Sequence, residues 1–152
     1  MKKLCSEGIY DHVEGGIARY TTDDNWLIPH FEKMLYDNVQ FITLLSKYLK
    51  INPDNYFKDK VKQTINFLNF NFINKKSNLL GSAYDADSDG EEGKYYVYRF
   101  DEIKDIHNIE QFFDIKPAGN WEGKIILKEL QPSTKKIRDE LLKIRLKKNK
   151  PF

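Results

Sequence analysis

Cysteine is almost missing from this chain: Cys5 is the only one in 152 residues. Without a second thiol there is no internal disulfide, no CxxC redox pair and no cysteine-based zinc site. No stretch approaches the roughly 18 consecutive apolar residues of a membrane-spanning helix, so no membrane partner is expected. The opening MKKLCSEGIYDH holds two lysines but no apolar core, which does not match a secretory signal. Low-complexity tracts and visible internal repeats are lacking as well. Net charge is small, +2 overall, but unevenly spread: Lys128 to Lys150 holds nine basic against three acidic residues. That stretch has no aromatics for base stacking, and Glu129, Asp139 and Glu140 dilute it, so nucleic acid is not expected as a partner. The expectation is a soluble, cytoplasmic chain with no cofactor.

What is present is enough for a packed core: 40% hydrophobic and 14% aromatic residues. The chain is organised around Trp26 to Asn38, WLIPHFEKMLYDN. Pro29 suits the first turn of a helix, where its missing N–H is no loss. Phe31, Leu35, Val39, Ile42, Leu45 and Leu49 recur at helical spacing and predict a buried stripe. His30, Lys33 and Asp37 then fall on one side of that helix, with Glu32 and Tyr36 as an i, i+4 pair beside them. Upstream, Ile17 to Thr22 alternates as a short extended segment, and Asp23-Asp24-Asn25 has turn chemistry. Asn52-Pro53-Asp54 ends the first helix, and Phe57, Val61, Ile65, Leu68 and Phe72 predict a second. The expectation is an antiparallel helix hairpin over residues 30–50 and 54–74. Ser82 to Tyr84 and Tyr95 to Tyr98 suit strands around an acidic loop, giving a short hairpin within 80–98. Short helices are expected at 100–107 and 109–113, a strand at 125–127, and a final helix over 133–148.

Four groups of residues could carry chemistry. Asp85-Ala86-Asp87-Ser88-Asp89-Gly90 matches the first six positions of a calcium loop, but Tyr96 stands where the bidentate Glu belongs, so no metal site is expected. The same segment also fits a solvated acidic turn, or a carboxylate pair, Asp85 and Asp87, pointing to one side of an extended strand. His30 with Glu32, Lys33 and Asp37 is the second group, since a neighbouring carboxylate can fix the imidazole tautomer. Arg19-Tyr20 is the third, at the end of a Gly-flanked strand. Asn120, Trp121 and Glu122 form the fourth, an aromatic platform beside directional polar groups, as sugar rings require.

The runs GIYDHVEGGIARYTTDDNWLIPHFEKMLYDN, YDADSDGEEGKYYVY and GNWEGKIIL, in that order, resemble the spermatogenesis-associated, thioredoxin-domain-containing protein family. The resemblance implies a thioredoxin-like domain elsewhere in a longer parent chain, followed by an (α/α)6 toroid similar to six-hairpin glycosidases and N-acylglucosamine 2-epimerases. By resemblance residues 1–152 are a single, partial segment of such a toroid: mainly α, with antiparallel helix hairpins and short β-hairpins. Its partners would be the rest of the toroid and the thioredoxin-like domain, though without a CxxC no redox role passes to this chain. Glu14 stands where the pattern expects glycine. The pocket-facing residues implied are Arg19, Tyr20, His30, Glu32, Lys33, Tyr36, Asp37, Asp85, Asp87 and Glu122.

The expected ligand is a sugar-like small molecule. For epimerase or isomerase chemistry His30 would abstract the proton, with Glu32 or Asp85 as partner acid. For glycosidase chemistry Asp85 or Asp87 would work with Glu122, while Arg19, Tyr20, Lys33, Tyr36, Asp37, Asn120 and Trp121 would hold substrate. The alternative is a non-catalytic binding or structural module of a larger redox or quality-control protein. Two structural expectations accompany these. His30 and the Asp85–Asp87 pair should face one concavity, and Ile137, Leu141 and Ile144 should be left exposed, making the isolated chain marginally stable.

Overall fold

The computed structural model describes residues 1–152. About 39% of the chain is helical, accompanied by short antiparallel strand pairs, so it is mainly α. The helices are α1 Lys2–Ser6, α2 Leu35–Ile51, α3 Asn55–Phe67, α4 Phe100–Ile103, α5 Ile109–Phe112 and α6 Lys135–Arg145, with a π turn at Leu68–Phe72 continuing α3. The strands are two residues each: β1 Tyr20–Thr21, β2 Pro29–His30, β3 Lys33–Met34, β4 Ala83–Tyr84, β5 Asp87–Ser88 and β6 Glu91–Glu92. They pair antiparallel as β1 with β2, β3 with β4 and β5 with β6.

The α2–α3 hairpin forms as expected. The Asn52 amide donates to the Tyr48 carbonyl at the end of α2, and Asp54 caps α3 by accepting from the Tyr56 amide. Phe41 and Leu45 of α2 meet Phe57 of α3, together with Cys5 and Tyr10. The start of α2 is a correction. The helix begins at Leu35, not at residue 30, because Pro29–His30 is held by Tyr20–Thr21 and Lys33–Met34 by Ala83–Tyr84. Residues 29–34 are therefore extended, and their burial alternates. Pro29, Phe31 and Lys33 point inward, while His30, Glu32 and Met34 are half-buried on the other side. The predicted stripe shifts accordingly: Val39 is 48% exposed, and Asn38, Phe41 and Leu45 are the buried residues of α2.

The hairpin expected within 80–98 exists, but between different strands. Asp89 and Gly90, both at positive φ, turn β5 into β6, the Asp-Gly chemistry of a tight hairpin. Residues 83–84 pair instead with β3, and residues 93–96 form a turn rather than a strand. Tyr98 alone bridges to Ile125. The largest core gathers Tyr98, Ile103, Ile109, Phe113, Ile125 and Leu127 against Ile137 and Leu141 of α6, with Ile144 packed at its edge. The expected exposed stripe on the last helix is thus overturned: this chain covers it with its own short helices.

Asn38 ties the N-terminal loop to α2. Its Oδ1 accepts from the Ile17 amide at 2.8 Å, and its Nδ2 donates to the Ile17 and Met34 carbonyls at 3.1 and 2.9 Å. Gly16, at φ +83°, sits so close that a Cβ would lie 2.8 Å from Asn38 Oδ1 and 2.7 Å from the Phe67 ring. Asn38→Ala should reduce the free energy of unfolding by about 2–4 kcal/mol, because it removes the partner of both the amide and the carbonyl of the half-buried Ile17. Urea denaturation checks this, and an unchanged midpoint would show that the loop is not anchored there.

Candidate functional site

The alternation of residues 29–34 builds a polar face. His30 and Glu32, two residues apart on one extended segment, project to the same side. β1 runs alongside and contributes Tyr20, with Arg19 immediately before it. The Arg19 amide donates to the Glu32 carbonyl at 2.9 Å, and its guanidinium donates to Glu32 Oε2 at 3.0 Å. That hydrogen bond, followed by the nearby Tyr36, holds the guanidinium protonated beyond its ordinary range. The Tyr20 ring stacks on the His30 ring at 5.0 Å. The β5–β6 hairpin reaches the other side of the imidazole, where Nδ1 lies 2.9 Å from Glu92 Oε1 and Nε2 lies 3.8 Å from Glu32 Oε2. In the neutral tautomer that donates Nδ1–H to Glu92, the lone pair is on Nε2.

Asp87 is the register partner of Glu92, and opposed residues of an antiparallel pair share a face, so it belongs to this surface. Asp37, in the first turn of α2, is coupled electrostatically to Arg19 and Glu32. Burial raises its carboxyl, Arg19 opposes that shift, and Oδ2 has no hydrogen-bond partner. Tyr36 beside it is 47% exposed. The structure therefore brings together Arg19, Tyr20, His30, Glu32, Tyr36, Asp37 and Asp87.

The other candidates lie elsewhere. Lys33 points inward and is 2% exposed. Asp85 is exposed, its amide donating to the Phe152 carbonyl and its carboxylate accepting from the Asp87 amide. The Asn120 side chain is occupied by the Ile126 amide and carbonyl at 2.8 and 2.9 Å. Trp121 packs on Phe31 with ring centroids 5.3 Å apart. Glu122, at φ +49°, lines a separate groove with Arg99, Asp101, Pro117 and Lys124. The lining of the cavities that hold Lys33, Glu122 or Glu129 includes none of His30, Glu32, Asp85 and Asp87.

Glu92 was not singled out from the sequence, although Asp89-Gly90 is a strong hairpin signal and would have placed Asp87 opposite it. Two buried charged clusters were missed altogether. In one, Asp11 receives Lys33 at 2.6 Å and both its oxygens accept from Arg145 Nη1, at 2.9 and 2.8 Å. Burial opposes ionisation of Asp11, but Arg145 and then Lys33 outweigh it and hold the carboxyl far below the usual range. In the other, Lys60 Nζ lies 2.8 Å from Glu129 Oε2 and 3.2 Å from His12 Nδ1, and Tyr56 donates to the same Glu129 oxygen at 2.9 Å. His12 Nε2–H donates to the Glu7 carbonyl at 3.1 Å, so Nδ1 accepts from Lys60. Burial, then the Lys60 charge, pushes the imidazole down to about 3.

No protein-family model matches the chain. It is 37% identical over 112 residues to spermatogenesis-associated protein 20 of Mus musculus, covering 70% of this chain and 14% of that protein. The Homo sapiens protein of the same name is 36% identical over the same length and coverage. An uncharacterized protein of Caenorhabditis elegans is 30% identical over 142 residues, 79% of this chain and 19% of the relative. The chain is thus homologous to a stretch of spermatogenesis-associated protein 20, a stretch that is 14% of the length of the mouse and human proteins.

Proposed function

We propose that this chain is a segment of the mainly α portion, an (α/α)6 toroid, of a longer protein related to spermatogenesis-associated protein 20. In this reading its Arg19–His30–Glu32–Glu92 face contributes to a site for a sugar-like small molecule, completed by further helix pairs of the parent chain. One observation carries it: His30 is held between two carboxylates, with Nδ1 2.9 Å from Glu92 and Nε2 3.8 Å from Glu32. Fixing one ring nitrogen so that the other can take a proton is how a general base is prepared. Tyr20 on the imidazole and the exposed Tyr36 offer apolar platforms to a ring, while Arg19 and Asp87 offer hydrogen bonds to hydroxyls. Proton transfer next to a carbonyl, as in epimerisation or isomerisation, suits this arrangement better than glycoside hydrolysis. Hydrolysis would require Asp85 or Asp87 to flank one bond with Glu122, and neither aspartate lines the groove that holds Glu122.

The test is a panel of reducing sugars and amino sugars offered to the full-length parent protein, with binding followed by calorimetry and turnover by NMR. His30→Asn should lower turnover by about 10²–10⁴-fold, the range for loss of a general base, and leave binding nearly intact. Binding without turnover in the unmodified protein would favour the alternative, a non-catalytic module of a larger redox or quality-control protein. Absence of both would remove the sugar reading.

A further inference from the structure

We infer that the polar cleft between α3 and residues 129–138 binds a compact phosphate-type oxyanion, either inorganic phosphate or the phosphate group of a small metabolite. The cleft encloses about 240 Å³, below the ~300–1,000 Å³ of sites for drug-sized ligands. Its walls are almost entirely polar. α3 supplies Lys60, Lys62, Gln63 and Asn66, and the opposite side supplies Ser133 and Arg138.

The charges at its floor are unequal. Lys60 is 3% exposed and paired with Glu129. The Glu129 carboxylate also accepts from Tyr56 and from the amide and hydroxyl of Ser133, so its oxygens are already occupied. Arg138 has no carboxylate partner: one Nη donates to the Ser133 carbonyl and hydroxyl, and the rest of the fork is unused. Lys62 is not ion-paired either. The Gln63 side-chain oxygen, Oε1, accepts from the Tyr10 hydroxyl at 3.3 Å, which leaves its NH₂ as a donor. A guanidinium, an ammonium and amide donors around a small polar cleft match the oxygens of a phosphate, which the arginine fork can grip two at a time. Asp59 lines the same cleft and is exposed. It opposes an anion, and so gives the inference a test of sign.

The experiment titrates inorganic phosphate into the chain at constant ionic strength, with chloride as the control, followed by amide NMR and calorimetry. Saturable shifts confined to residues 59–66 and 129–138 are expected. Arg138→Gln should weaken binding at least tenfold and Lys62→Gln several-fold, whereas Asp59→Asn should tighten it several-fold. All three positions reach solvent, and a thermal melt of each variant confirms that it is folded. Glycerol phosphate as a second titrant separates the two sources: tighter binding than phosphate points to an esterified metabolite, equal or weaker binding to the free ion. Three results would overturn the inference: no saturation by about 10 mM, weaker than the millimolar class; the same response to chloride; or binding unchanged in Arg138→Gln and Asp59→Asn.

Discussion

Arg145→Met is expected to lower the free energy of unfolding by about 3–5 kcal/mol, the loss when one partner of a buried ion pair is removed. Arg145 is 2% exposed and joins three distant parts of the chain. One nitrogen reaches both Asp11 oxygens and Glu14 at 2.9, 2.8 and 3.2 Å, and the other donates to the Tyr96 carbonyl at 3.3 Å. The guanidinium also lies 5.5, 5.5 and 5.6 Å from the ring centres of Tyr95, Tyr96 and Tyr98. Without it, Asp11 keeps only Lys33 as a cation, and two buried acids face each other. Asp11→Asn should cost a similar amount. Changing Asp11, Lys33 and Arg145 together to apolar residues should restore part of the loss, since the only charge left of the cluster is Glu14, which still has Lys150 at 3.8 Å. Urea unfolding of the four proteins decides the matter, and a loss below about 1 kcal/mol, the scale of a surface pair, would show that the cluster is not a structural tie. The sign with pH follows from the lowered Asp11 carboxyl. Its contribution is complete above the unfolded value of 3.8 and is lost as pH falls below it.

The second large effect is on the response to acid. His12 protonates near pH 3 in the folded chain, against 6.5 for an ordinary histidine. The folded value is the lower one, so between these limits the unfolded chain holds a proton that the folded chain refuses. Stability should therefore be unaffected by this group above about pH 7 and fall by up to about 1.4 kcal/mol per pH unit below about 6. The cause is spatial. Nε2 is spent on the Glu7 carbonyl, and Nδ1 faces the Lys60 ammonium at 3.2 Å in a site without solvent. His12→Gln can keep both hydrogen bonds without the titration. Its stability profile between pH 6.5 and 5 should be flatter than that of the unmodified chain by about one proton's slope. Equal slopes would mean that His12 is protonated in the folded state.

These two clusters mark where sequence reasoning stops. Local chemistry determined the α2–α3 hairpin: the apolar spacing, the Asn52-Pro53 break and the Asp54 cap are all contained within a few residues of where they act. It also determined the turn after β1, where Asp23 accepts the Asn25, Leu27 and Ile28 amides at 3.0, 3.4 and 2.7 Å. PHFEKM could be read with either of two periods. A proline followed by apolar residues at helical spacing suggests 3.6, but two neighbouring strands hold the segment extended and impose a period of 2. That choice alone put His30 and Glu32 on the surface and Lys33 inside. Neither strand partner is visible from the segment itself.

The same holds for the ion pairs. Asp11 and Arg145 are 134 residues apart, Lys60 and Glu129 69, and His30 and Glu92 62. Along the chain each is an ordinary charged residue with a solvated alternative. Only packing takes the first two pairs out of water, and once there a charge must find its opposite. Sequence alone settled which local elements form. The tertiary structure decided which charges are buried, because desolvation depends on neighbours that the chain order does not name.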